Sequence, residues 1–208
     1  MSGSEISPTM LHGLMLFILS ELDREPGAIE LAKMVYLIDV ERVRLTGSTM
    51  TGESYTYQFK GPLARNFGSC ITDMDGLEIS VTVGASRGAS QHPKHAHGLG
   101  LNPRFRPSLD MLDMVIARRV LARVRGLTPL EIERMAHDTE PMQAILEEER
   151  RTGESRLSAP IDFSLVERNP LVQKWRENMA RPVVPDSEFE TFLQQESREI
   201  DQILASLG

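Results

Sequence analysis

The stretch that decides the fold is AKMVYLIDVERVRLTGSTMTGESYTYQFKGPL, residues 32–63. Its first half has apolar residues on more than one side of a helix, which is typical of a helix buried on several sides. Gly47 is a glycine at the end of this pattern, where a left-handed residue often stops a helix. We therefore expect a buried helix over residues 28–46.

Three polar residues interrupt this apolar helix. Lys33, Tyr36 and Asp39 recur every third residue, so they share one arc of the helix surface. Buried polar groups need hydrogen-bond partners. Two hypotheses follow: the residues anchor the segment after the helix, which we favour for Tyr36 and Asp39, or they present a polar patch to a partner.

The residues after the helix predict two strands. Residues 54–59 alternate aromatic and polar side chains, and residues 77–83 repeat the alternation with aliphatic ones. Residues 63–74 between them predict a short helix, and Gly61-Pro62 predicts the turn that leads into it. We expect one small antiparallel sheet built from these two strands, with the helix inserted.

Beyond the second strand, residues 84–107 have no periodicity and are rich in residues typical of loops, so a loop is predicted. Ser108 is the expected N-cap of a helix over residues 109–125. Thr128 and Glu131 form a capping box for a helix that ends near His137. A further helix is predicted over residues 141–151.

The C-terminal part has a different character. Two prolines in RPVVP, residues 181–185, predict a linker, and the residues after it predict an amphipathic helix. Its apolar stripe either packs on the same chain or binds a partner protein. The candidate partner-binding residues of this tail are Phe189, Phe192, Leu193, Ile200, Ile203 and Leu204.

The fold class expected from these patterns is mainly α with a small antiparallel β-sheet. We expect a single compact helical domain, residues 1–155, followed by a helical extension, residues 156–208. The 40% hydrophobic and 25% charged content of the 208 residues suits a folded globular protein.

Composition also narrows the functional classes. The net charge of −7 argues against electrostatic binding of nucleic acid by the chain as a whole. Cys70 is the single cysteine, which excludes an internal disulfide and fits a reducing compartment. The apolar run over residues 10–19 is too short to span a bilayer and lacks the flanks of a signal peptide. We expect a cytoplasmic protein without a membrane partner.

A histidine cluster in the predicted loop is the one candidate for a metal site. His92, His95 and His97 lie within HPKHAH, and imidazole is a common metal ligand. No cysteine or carboxylate lies close to them in sequence. The competing hypothesis, which we favour, is that these imidazoles are solvated in a polar loop.

No set of catalytic residues can be assembled from the sequence. Cys70 has no recognisable activating partner nearby, and a nucleophilic cysteine needs a base within reach. Packing is therefore the favoured role of its thiol. No phosphate-binding loop, nucleophile elbow or zinc-protease motif is present. We expect a protein that is not an enzyme and needs no cofactor.

A basic helix face is the basis of a second functional hypothesis. Arg118, Arg119, Arg123 and Arg125 occur together in the predicted helix 109–125 and suggest contact with DNA or with an acidic partner. The alternative, which we favour, is a solvated face neutralised by the acidic helices within residues 131–154.

The motif residues of the opening stretch match the pattern of a known family. That pattern is a K-L-L-Y-L-A-D helix, then T-G-[DE]-x-Y, then Gly-Pro. The matching residues here are Lys33, Tyr36, Leu37, Asp39, Thr51, Gly52, Glu53, Tyr55, Gly61 and Pro62, with His137 further on. Residues 10–150 thereby resemble the Panacea domain, a SocA-like antitoxin family whose members are also called phage-associated proteins. Lys60 and Met142 stand where that family usually has Tyr and Trp.

The resemblance implies a function as well as a fold. It implies a compact helical domain with a small antiparallel sheet, in a bacterial or phage protein of the cytoplasm without known catalytic activity. It further implies an antitoxin that neutralises a cognate toxin by direct binding, in one branch as an adaptor for an AAA+ protease. The motif residues are then candidates for the partner surface. The alternative is a DNA-binding autorepressor that uses the face from Arg118 to Arg125.

Overall fold

A computed structural model describes residues 9–75, 79–84, 94–99 and 109–170 of the chain. Its helices are α1 (Met10–Glu21), α2 (Ala28–Thr46), α3 (Phe67–Met74), α4 (Met111–Val124), α5 (Pro129–His137) and α6 (Glu140–Thr152), with a 3-10 turn at Phe163–Leu165. Its strands are β1 (Tyr55–Gln58), β2 (Gly61–Ala64), β3 (Ile79–Gly84) and β4 (Lys94–Leu99). The expected class, mainly helical with small antiparallel sheets, is confirmed.

Helix α2 is the centre of the fold. Side chains on all of its sides are buried, and α1, α4, α5 and β2 pack against it. The helix ends where Gly47 takes a left-handed conformation (φ = 84°) and donates its N–H to the carbonyl of Val43 at 2.7 Å. The predicted bounds of this helix are therefore confirmed, because both its apolar pattern and its glycine stop are local signals.

The strands pair differently from the expected sheet. β1 pairs with β2 in an antiparallel hairpin, and β3 pairs with β4 in a second antiparallel ladder. The prediction that residues 54–59 and 77–83 share one sheet is wrong. Gly61 and Pro62 open strand β2 rather than forming a turn into a helix, because Gly61 (φ = 91°) completes the hairpin bend at the start of the strand.

Strand β4 lies within the segment for which a loop was expected. Residues 94–99 pair with β3, and the N–H of His97 also donates to the carbonyl of Pro26 at 2.9 Å. The loop prediction is wrong for these residues because backbone hydrogen bonds define the strand, whereas its sequence, KHAHGL, has no aliphatic alternation.

Helices α4 and α5 each begin directly after a residue whose side chain caps the N-terminus. Helix α4 begins after Asp110, whose carboxylate accepts the N–H of Asp113 at 2.7 Å, so the predicted start at residue 109 is wrong. An acidic N-cap satisfies this helix end as well as a serine does. The capping box of α5 is confirmed: the carboxylate of Glu131 accepts the N–H of Thr128 at 2.7 Å, and Thr128 caps in return.

The chain divides into two units, Met1–Asn169 and Pro170–Gly208. Residues 156–169, which were expected to belong to the C-terminal extension, belong to the first unit. Tyr57 exchanges backbone hydrogen bonds with Ser158 (2.7 Å) and Ala159 (2.9 Å), so this segment lies along the free edge of β1. Residues 171–208, with all the tail candidates from Phe189 to Leu204, lie outside the described residues.

In the part of the chain that the structure describes, no helix is both long enough and apolar enough to cross a bilayer.

Candidate functional site

Asp39 anchors the segment that follows α2. Its side chain is fully buried, and one carboxylate oxygen accepts the N–H groups of Met50 (2.6 Å) and Thr51 (3.1 Å). The other oxygen accepts the hydroxyls of Thr51 and Tyr55, the latter at 2.6 Å. Burial raises the pKa of Asp39, and these hydrogen bonds oppose the rise. All four donors point at one carboxylate, so the side chain is satisfied within the chain.

The neighbouring Thr-Gly-Glu residues form a tight turn around this anchor. Gly52 takes a left-handed conformation (φ = 70°), and the hydroxyl of Thr51 accepts the N–H of Glu53 at 3.1 Å. The carboxylate of Glu53 in turn accepts the side-chain amide of Asn66 at 3.0 and 3.2 Å. This part of the family-like motif therefore joins the end of α2 to β1 and to the start of α3.

Lys33 ties α2 to the β1–β2 hairpin. Its ammonium donates to the carbonyl of Pro62 at 2.7 Å, and only 2% of the residue is exposed. Burial lowers the pKa of Lys33 to about 8, and the charge of Glu133 opposes the shift. The β1–β2 hairpin is therefore attached to α2 through the buried ammonium group of Lys33.

Gly61 and His137 meet beside this lysine. A Cβ atom on Gly61 would lie 2.4 Å from Nε2 and 2.7 Å from Cδ2 of His137, so any larger residue at this position would force the imidazole or the hairpin to shift. Burial lowers the pKa of His137, the nearby charge of Glu133 opposes this, and that of Lys33 adds to it. Among the described residues, no hydrogen-bond partner reaches the buried Nε2 of His137.

Tyr36 connects α2 to the junction of α5 and α6. Its hydroxyl lies 2.7 Å from the hydroxyl of Thr139, which donates to the carbonyl of Ala136 at 2.8 Å. Tyr36 is therefore the donor in the pair. Its ring packs against those of Tyr55 (5.4 Å) and Phe163 (5.8 Å), and burial raises the pKa of Tyr36.

The polar arc of α2 thus reaches three separate parts of the fold. Lys33 binds the hairpin, Tyr36 binds the α5–α6 junction, and Asp39 binds the turn before β1. These contacts assign the three side chains a structural role. A direct role of the motif residues at a partner surface stays a prediction.

The open surface beside these residues is a groove of about 250 Å³ between α2, the hairpin and α3. Its walls include Ile29, Leu63 and Phe67. Ile29 is 48% exposed and Phe59, at the hairpin bend, is 80% exposed. We call this cavity, together with the exposed Phe59 of the adjacent hairpin bend, the hairpin groove; Phe59 itself does not line the cavity.

Sequence reasoning missed the hairpin groove. Alternation placed Phe59 on the same strand face as the tyrosines, whereas β1 ends at Gln58 and Phe59 lies in the bend. The available signal was the Lys-Gly-Pro that follows, because a glycine after two non-glycine residues is typical of a bulged hairpin turn.

Cys70 lies near a histidine that is remote in sequence. Its sulfur is 3.7 Å from Nδ1 of His12, and Nε2 of His12 is 3.7 Å from a carboxylate oxygen of Asp73. This order is that of a nucleophile, base and orienting acid. However, Nδ1 already accepts the N–H of Thr9 at 3.1 Å, and burial raises the pKa of Cys70 to about 11. The thiol is therefore protonated and buried at neutral pH, which does not suit a nucleophile.

The three histidines are described unequally. His97 is buried, with Nδ1 3.4 Å from the carbonyl of Pro26, so it is not a solvated loop residue. His92 and the side chain of His95 lie outside the described residues. Within the described ranges, no group of three His, Cys, Asp or Glu residues could hold a metal ion. The metal hypothesis for the cluster stays a prediction.

Carboxylates of other helices face the arginines of α4. Arg118 binds Glu21 of α1 at 2.9 Å, and Arg119 and Arg123 lie 3.5 and 3.7 Å from Glu41 of α2. The hydrogen bond from Arg118 lowers the pKa of Glu21. The expectation that residues 131–154 neutralise this face is wrong, because α1 and α2 supply the carboxylates. These pairs reduce the positive charge available to DNA, and the DNA-binding hypothesis stays a prediction.

Comparison of the chain with protein-family models, with curated proteins and with solved structures gives no match.

Proposed function

We propose that the protein is an antitoxin that neutralises a toxin by direct protein–protein binding. The observation that supports this best is the hairpin groove, which exposes a large aromatic and a large aliphatic side chain beside a concave apolar surface. Exposed aromatic side chains next to a pocket are typical anchors of protein interfaces.

The polar chemistry of the chain supports a binding protein over an enzyme. Lys33, Tyr36 and Asp39 form hydrogen bonds within the fold. The thiol of Cys70 is buried and protonated. The hairpin groove, with a volume of about 250 Å³, is large enough for one side chain of a partner protein.

We further propose that the protein acts in the cytoplasm on the product of a neighbouring gene. Delivery of the bound toxin to an AAA+ protease is one form that this neutralisation takes in the family it resembles. Blocking alone and delivery differ in one measurable quantity, the lifetime of the toxin in cells that contain the antitoxin.

The experiment that tests the proposal expresses the neighbouring gene product alone and together with this chain. We expect growth arrest in the first case and rescue with a stable complex in the second. Phe59→Ala should weaken the complex at least tenfold, since interface anchors contribute about 2 kcal/mol or more.

Met111→Ala is the matched control, because Met111 is also strongly exposed (78%) but lies on α4, away from the groove lining. Equal loss of binding in both variants would contradict the assignment of the hairpin groove. If neither flanking gene product is toxic and none binds, the antitoxin proposal is wrong.

A further inference from the structure

The imidazole of His137 packs against the β1–β2 hairpin at Gly61. The distances from a Cβ atom placed on Gly61, 2.4 Å to Nε2 and 2.7 Å to Cδ2, show that this edge of the ring faces the hairpin. Nε2 is buried and has no hydrogen-bond partner among the described residues. A neutral imidazole with its proton on Nδ1 has only a lone pair at Nε2, so no N–H donor is buried there without an acceptor.

Protonation of His137 changes the chemistry of this contact. The imidazolium has an N–H donor on each ring nitrogen, and the donor on Nε2 would face Gly61 with no acceptor in reach among the described residues. A buried charged donor without a partner costs more free energy than a neutral one. The protonated ring can form a hydrogen bond with water through Nε2 only if the ring and Gly61 separate.

Charged groups of two helices act on the imidazole of His137. Lys33 of α2 opposes the imidazolium because both carry a positive charge. The ammonium of Lys33 is held beside the hairpin by its hydrogen bond to the carbonyl of Pro62. Glu133, one turn earlier on α5, and Asp138, directly after His137, favour the imidazolium. Asp138 is exposed, so an imidazolium that leaves the hairpin has a carboxylate close to it at the surface.

The other elements that pack on α5 bring no charge to the ring. Strand β2 consists of uncharged residues, and α6 contributes the amide of Gln143, which donates to the main-chain carbonyl of His137 at 2.7 Å. Burial lowers the pKa of His137 from its ordinary value of 6.5, Glu133 opposes this, and Lys33 adds to it. The neutral form therefore predominates in the folded chain at neutral pH.

We propose that His137 is a pH switch for the contact between α5 and the β1–β2 hairpin: the neutral imidazole packs on Gly61, and its protonation separates the hairpin from α5. This inference goes beyond the proposed function and does not depend on it. The bond from Gln143 holds the backbone of His137, so the imidazole and the hairpin move rather than α5. The bend of the hairpin carries Phe59, whose position thereby becomes dependent on pH.

NMR of the full isotope-labelled chain tests the switch directly. The pH is lowered from 7 to about 4.5, a range in which Lys33, with its pKa of about 8, is already mostly protonated. The ring signals of His137 give its titration midpoint, which we expect below 6.5. The nuclear Overhauser effect between the Cδ2 proton of His137 and Hα of Gly61 reports the contact. This signal should lose about nine-tenths of its intensity one pH unit below the midpoint, because about ten of eleven molecules are then protonated.

Two variants assign the change to His137. His137→Phe keeps an aromatic ring at this position but cannot titrate, so the signals of Gly61 and Leu63 should no longer change with pH in this range. Glu133→Gln removes a carboxylate that favours the imidazolium, so the midpoint of His137 should fall. The matched control is Glu147→Gln on α6, where the carboxylate is exposed and bound to Arg150, and the midpoint should stay unchanged.

Persistence of the Gly61 contact after His137 has titrated would overturn the inference. A midpoint at or above 6.5, or unfolding of the whole chain before His137 titrates, would also overturn it. So would the same pH-dependent changes of the hairpin signals in His137→Phe, because another group would then be responsible for them.

Discussion

Replacement of Gly61 by alanine should destabilise the protein through two separate effects. The left-handed conformation of Gly61 (φ = 91°) costs any L-residue about 1–2 kcal/mol. The added Cβ would also lie 2.4 Å from the imidazole of His137, and overpacking of this kind costs about 1–3 kcal/mol. We therefore expect Gly61→Ala to lower the free energy of unfolding by about 2–5 kcal/mol.

Two further variants separate the effects. Gly52 has a similar conformation (φ = 70°), but a Cβ there would meet no atom within 4 Å, so Gly52→Ala should cost the conformational part alone, about 1–2 kcal/mol. In a His137→Ala background the steric clash is gone. The cost of Gly61→Ala, measured against His137→Ala alone, should then fall to about 1–2 kcal/mol as well.

The assay is equilibrium unfolding in urea, followed by far-ultraviolet circular dichroism and analysed with a common slope. The double-mutant cycle gives the interaction between positions 61 and 137 directly. If Gly61→Ala costs the same in both backgrounds to within about 0.5 kcal/mol, the close packing of His137 on the hairpin is refuted.

Three other perturbations test the buried polar groups. Asp39→Ala should lower the free energy of unfolding by about 3–5 kcal/mol, because it leaves the buried N–H groups of Met50 and Thr51 without an acceptor. Asp39→Asn should lower it by less, and urea unfolding of both variants measures the difference. Lys33 has a pKa of about 8 in the fold and an ordinary value of 10.5, so the unfolded chain binds its proton more tightly. The contribution of Lys33 to stability should therefore rise by about 3 kcal/mol as the pH increases from below 8 towards 10.5, so the difference in unfolding free energy between the unchanged chain and Lys33→Met should shift by that amount; a difference that does not vary with pH contradicts the buried cation. Cys70, with its pKa raised to about 11, should react with a thiol reagent at pH 8 only after unfolding, and rapid labelling of the folded chain would disprove its burial.

The parts of the fold that were predictable depend on local signals. Helix α2 has apolar residues on several sides and a glycine stop, and α5 has a capping box, so a short window of sequence contains the information. Strands β2 and β4 could not be predicted in this way. Pro62 suggested a turn and KHAHGL suggested a loop, whereas partner strands define both elements through backbone hydrogen bonds.

The candidate site was predictable only in part for the same reason. The spacing of Lys33, Tyr36 and Asp39 indicated one polar arc and a need for partners. It could not name Thr139, which is 103 residues beyond Tyr36, or bring His12 to Cys70. Such contacts arise from the packing of helices, and no periodicity in a single segment encodes them. The hairpin groove was missed because the exposure of Phe59 depends on where the hairpin bends.

The polar arc of α2 contacts residues that are far away in sequence, and this has a consequence during translation. The carboxylate of Asp39 finds the hydroxyl donor of Tyr55 only 16 residues later, whereas the hydroxyl of Tyr36 finds its partner, Thr139, 103 residues later. Until α5 has been synthesised, the central helix α2 lacks one of the helices that pack against it. A chain interrupted before residue 139 should therefore be a substrate for chaperones and proteases, because α2 can be fully packed only after α5 has been synthesised.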